Sequence, residues 1–130
     1  MSEIADFLRD RITERRSLAE AASPGPWHTN EEADEVEAVD GITVADGFAL
    51  SSRQLRATVQ HIAANDPIAV IADCDAKLAL ITHYEKIQAY AEVEQRHEYA
   101  LAAGACTVAL KILGQPFVAH PDHKGEEWTP

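Results

Sequence analysis

Asp66-Pro67-Ile68-Ala69-Val70-Ile71-Ala72-Asp73-Cys74-Asp75-Ala76-Lys77-Leu78-Ala79-Leu80-Ile81 is the stretch that sets the fold class. Asp66 is a good N-cap residue, and Pro67 suits the first helical position, where its missing N–H costs nothing. Ile71, Cys74, Leu78 and Ile81 then follow at steps of three and four, the period of a helix with one buried stripe. The stripe runs on less cleanly through Tyr84, Ile87, Ala91 and Leu101. From Pro67 to Leu113 only Gly104 interrupts helical composition. One unbroken helix there would be roughly 70 Å long, about twice the width of a compact domain of this mass. The segment must therefore fold back or pair with another chain. A break is expected between Glu94 and Gly104, giving helices over about 67–100 and 104–113.

Upstream, Ser51 and Gln54 have capping-box spacing. They open a helix over about 52–65 with Leu55, Val59, Ile62 and Ala63 on one stripe. Residues 27–50 differ in character. They carry Glu31, Glu32, Asp34, Glu35, Glu37, Asp40 and Asp46 but no lysine or arginine. Asp40-Gly41 and Asp46-Gly47 are turn signals, and Val36, Val39, Ile42, Val44, Phe48 and Leu50 are strand formers. Two or three short strands in an antiparallel hairpin are predicted, with Glu31–Glu37 as a solvated loop. Residues 3–22 read as an amphipathic helix capped by Ser2, with Ile4, Phe7, Leu8, Ile12, Leu18 and Ala22 on its apolar side. Ser23-Pro24-Gly25-Pro26 stops it, and Trp27 follows, aimed by the turn. Gly114 and Pro116 stop the last helix. The tail, 115–130, would fray but for Trp128, which implies docking. The expected fold is α+β and mostly helical: one domain, 1–130, with a helical core, a small antiparallel β-hairpin and a docked tail.

The chain has 130 residues, of which 46% are apolar but only 6% aromatic, and its net charge is −11. No basic stretch is dense enough for phosphate contacts, so direct nucleic-acid binding is not expected. No apolar run is long enough to span a membrane. The charged N-terminus does not read as a secretory signal, so the expected compartment is the cytoplasm. Cys74 and Cys106 are too few for a disulfide framework and sit in apolar surroundings.

Three phrases join turn formers to large or titratable residues. They are Pro24-Gly25-Pro26-Trp27, His61-Ile62-Ala63-Ala64-Asn65-Asp66-Pro67, and His120-Pro121-Asp122 with Glu127-Trp128 and Pro130. Together they resemble a family of small actinobacterial and actinophage proteins of unknown function. Further matches are Ile4–Arg11, Val44-Ala45-Asp46-Gly47, the continuation to Val70, and Lys77 after Asp75-Ala76. Many relatives carry a Cys-x-x-Cys-Gly pair before a further cysteine, which the resemblance reads as a small zinc site. Only Cys106 stands at such a position here, so the resemblance implies no structural zinc in this chain.

The residues marked for a structural role or a site are Trp27, His61, Asp66, His120, Asp122 and Trp128. If the tail reached the helix junction, His61, His120 and Asp122 could form a hydrolytic metal site, with Asp66 and His123 nearby. The alternative is that His61 and Asp66 satisfy backbone groups and Asp122 turns the tail. Cys74 with His61 or His83 is a weak Cys–His pair, since a mid-helix apolar site disfavours the thiolate. There is no Gly-rich phosphate loop, Rossmann phrase or nucleophile elbow, and no cofactor or metal is expected. The leading expectation is a non-enzymatic accessory protein of a phage or mobile element, acting on an unknown protein partner. A metal-dependent hydrolase and an acidic nucleic-acid mimic are the alternatives. A homodimer along the long helical segment is also expected, with Ile87, Tyr90 and Val93 left uncovered.

Overall fold

The computed structural model describes residues 2–130. It is a mostly helical α+β fold. The elements are α1 (Glu3–Ala21), β1 (His28–Thr29), β2 (Glu35–Glu37), β3 (Thr43–Asp46), α2 (Ser52–Ala64), α3 (Pro67–Glu94) and α4 (His97–Leu113). Two 3-10 turns, Gln115–Phe117 and Gly125–Trp128, close the chain. The contacts divide it into two compact units, Met1–Glu14 with Asp75–Pro130, and Arg15–Cys74.

The unit Arg15–Cys74 is built on the antiparallel sheet β1-β2-β3. His28 pairs with Glu37 and Thr29 with Val36, while Glu35 pairs with Asp46 and Val36 with Ala45. Asn30 makes the first turn. Its Oδ1 accepts the N–H groups of Asp34 and Glu35, each at 3.0 Å, and its amide donates to Asp34 Oδ1 at 2.7 Å. The acidic run expected as a loop thus ends in β2. Gly41 takes φ 81° at the second turn, a left-handed conformation that glycine adopts freely. α2 packs on the sheet with Val59 fully buried, as are Val36 and Ala38. Gly47 permits this approach, because a Cβ there would lie 2.6 Å from the Leu55 and Val59 side chains. Ser51 Oγ accepts from Gln54 N–H at 3.2 Å, so the predicted cap is in place.

In the other unit the long segment folds back. α3 ends at Glu94, Gln95 is left-handed with φ 49°, and Arg96 is extended ahead of α4. The break is at the early edge of the expected window, and Gly104 lies inside α4. Tyr90 of α3 meets Tyr99 of α4 edge-on at 5.0 Å. Further along, the Gln88 amide donates to Thr107 Oγ1 at 3.0 Å. Ile87 is half-buried, whereas Val93 is exposed. Ile4, Phe7, Leu8, Ile12, Ile81, Cys106, Leu110 and Trp128 are all buried. Burying such side chains contributes about 1.5–3 kcal/mol each before ordering costs.

Candidate functional site

The marked residues form two clasps, one in each unit. In the unit Arg15–Cys74 the clasp centres on Asp66, which is buried. Its Oδ1 accepts Ala69 N–H at 2.8 Å and so caps α3. Its Oδ2 accepts Trp27 N–H at 3.0 Å. Trp27 Nε1 donates to Ser23 O at 2.8 Å, which closes the Pro-Gly-Pro turn on itself. Gly25 belongs to the same joint: a Cβ there would stand 3.0 Å from Ile68 and 3.1 Å from Asp66 Oδ2. The Gly25–Pro26 peptide is cis. His61 is exposed, and its carbonyl accepts from Asn65 Nδ2 at 2.8 Å, ending α2.

The second clasp holds the tail. Phe7 on α1 lies 5.1 Å from Trp128, 5.6 Å from His120, 5.7 Å from His123 and 6.3 Å from Phe117, centroid to centroid. The Arg11 guanidinium sits over the Phe7 ring at 5.5 Å. It also contacts His120, with Nη1 3.1 Å from Nδ1. Asp122 N–H donates to His120 Nδ1 at 3.1 Å, a local turn contact. His123 Nδ1 accepts Gly125 N–H at 3.0 Å. In the neutral ring this leaves the proton on Nε2, which is buried without a hydrogen-bond partner and beside the Phe7 and Trp128 rings. Lys124 reaches Glu3 through an ion pair. Its ammonium pKa is raised above the ordinary lysine range by that hydrogen bond.

Neither clasp is arranged for chemistry in the way a catalytic centre is. Asp66 spends both oxygens on backbone N–H groups, and His120 faces a guanidinium, a poor neighbour for a bound cation. Among the described residues no group of three or more His, Cys, Asp or Glu side chains could hold a metal ion. Both cysteines are buried. Burial pushes the Cys106 thiol above its ordinary range, away from the thiolate a nucleophile needs.

A family model matches residues 1–130. The chain belongs to DUF6221, a family of unknown function. No curated protein and no solved structure matches it. Among the described residues no helix is long and apolar enough to cross a membrane.

The outer face of α4 is poorly suited to water. From Tyr99 to Leu110 no residue is charged. Cys106 and Leu110 turn inward and are buried. Leu101, Val108 and Ile112 turn outward, exposed by 63%, 45% and 55%. With Ala105 they recur at steps of four, three and four, one stripe on the helix. Gly104 lies beside them with open space around it. A helix that is apolar on every side is normally covered on every side. Beside this helix, α3 and α4 also border a cavity of about 720 Å³. Ala89, Ala100 and Ala103 line it together with Glu85, which is already paired with Arg9. Sequence reading missed the α4 stripe because the break expected between Glu94 and Gly104 separated Leu101 from Val108 and Ile112, which α4 carries on one helix.

Proposed function

We propose that this chain is a non-enzymatic accessory protein acting through protein–protein contact, with the outer face of α4 as its contact surface. The observation that carries this reading is the uncharged stripe Leu101, Ala105, Val108 and Ile112 standing in solvent on a chain of net charge −11. Such surface is costly to expose and marks contact sites in soluble proteins. Small residues at Gly104 and Ala105 allow a partner backbone to come close. A second copy of the chain is the simplest partner, since it offers an equally uncharged stripe, and two-fold pairing is the commonest form of association. The phage or mobile-element setting comes from the resemblance of the three sequence phrases. The two clasps serve this role as scaffold, fixing the ends of the helices.

The test compares tagged wild type with the double variant Leu101→Glu, Val108→Glu, each mixed with host lysate and, separately, with an untagged copy. The wild type should retain a protein, either a host component or the copy, and the variant should lose it at an unchanged thermal midpoint. Equal retention by both proteins would remove α4 as the surface. No retention by the wild type in either mixture would remove the function.

A further inference from the structure

The loop Asp46-Gly47-Phe48-Ala49-Leu50 leaves β3 and enters α2 with its two largest side chains in water. Phe48 is 87% exposed and Leu50 fully so. The loop is nonetheless pinned at both ends. Gly47 N–H donates to Asp34 O at 2.6 Å, and the Gly47 backbone is pressed against Leu55 and Val59. At the far end Ser51 caps α2. An aromatic side chain held out on an anchored loop loses little conformational freedom when it enters a pocket, which is the energetic profile of a binding anchor.

The ground around this anchor is acidic. Glu35 and Asp46 stand directly opposite each other on the antiparallel ladder, an arrangement that like charges destabilise. Desolvation, with the charges of Asp46 and Asp34, pushes the Glu35 carboxyl above its ordinary range. From His28 to Leu50 there is no lysine or arginine. Anionic surfaces are repelled here, and so is a second copy of this chain, which would bring the same carboxylates. A cationic surface would relieve the crowding.

We infer that Phe48 and Leu50 dock on the apolar face of an amphipathic basic helix of a protein partner, with Glu35 and Asp46 pairing to the lysine or arginine that flanks that face. This rests on the reading of the chain as a contact protein, but it uses a surface separate from α4. Opposite charge at the rim speeds encounter and selects partners, while the buried aromatic supplies most of the affinity.

The test is an NMR titration of the isotope-labelled full chain with an amphipathic helical peptide of leucine and lysine, and with its leucine-to-serine counterpart. The first peptide should shift amides around Asp34–Glu37 and Asp46–Leu50, and the second should not. Phe48→Ser with Leu50→Ser should weaken binding at least about tenfold. Glu35→Gln with Asp46→Asn should weaken it less and flatten its salt dependence. The α4 variant Leu101→Glu, Val108→Glu should bind the peptide as the wild type does, so a failure at α4 and a failure here are separately visible. Several results would overturn the inference. They are absence of binding at millimolar peptide, shifts elsewhere on the chain, equal binding of the serine peptide, or unchanged affinity in the loop variant. Phe48-dependent association with phosphatidylcholine vesicles would assign the loop to membranes instead.

Discussion

Asp66 Oδ2 accepts the backbone N–H of Trp27 at 3.0 Å, while its other oxygen caps α3 through Ala69. One buried carboxylate thus ties a turn to the start of a helix across 39 positions of sequence. The two phrases that looked like separate joints are one joint.

Removing this carboxylate strands two donors. Asp66→Ala should cost about 2–4 kcal/mol, since bonds to a charged acceptor and a helix cap are both lost. Asp66→Asn, with one carbonyl oxygen in place of two, should fall between alanine and wild type. Urea unfolding of the three proteins gives the order, and an asparagine variant as stable as wild type would contradict the double role.

Trp128 is buried and holds the tail through Phe7. Trp128→Ala should destabilise by about 3–5 kcal/mol and should speed trypsin cleavage after Lys124. Unchanged cleavage kinetics would mean that the tail is fixed by something other than its aromatic contacts.

Desolvation of Glu35, and after it the charges of Asp46 and Asp34, act on stability with a definite sign as pH changes. The Glu35 carboxyl is raised in the folded state, so the folded chain holds the proton more tightly than the unfolded chain does. Its ionised form therefore weakens the fold at neutral pH, and the penalty fades as pH falls from the raised folded value down to the ordinary glutamate range. Glu35→Gln should melt at a higher temperature than wild type at pH 7, and the gap should close on acidification. A gap that persists at pH 3, or one of opposite sign, would contradict this cause.

Gly104 sits inside α4, where a Cβ would meet nothing within 4 Å. Gly104→Ala should therefore stabilise the chain by about 0.5–1 kcal/mol, the usual gain in a helix interior. A loss of stability on thermal unfolding would show that the glycine is needed for close packing.

What could be read from the sequence was local. The caps at Ser51 and Asp66 and the stop at Gly114 rest on chemistry within a few residues, and all three are where their spacing put them. The mostly helical α+β class followed from the long periodic run and the contrasting acidic stretch. The break at Gln95–Arg96 had no glycine or proline to announce it, while Gly104 suggested a break and was outvoted by its alanine neighbours. β1 is two residues long and depends on the Asn30 side chain, a contact with no periodic signal. Phe48 and Leu50 were read as strand formers, because residue type alone does not tell an exposed anchor from a core side chain. Of the marked residues, Trp27 and Asp66 meet in one unit, and His120, Asp122 and Trp128 lie together in the other; His61 only ends its helix.

The central claim, that α4 is a contact surface, is tested most directly by a photo-crosslinking amino acid placed at Val108, with Thr82 as an exposed control. Irradiation in host lysate and of the purified chain should give a discrete product from position 108 and none from position 82. A product of about twice the 14.2 kDa chain mass would identify a second copy, and another mass a different protein. No discrete product from position 108 in either sample, or equal products from both positions, would contradict the account.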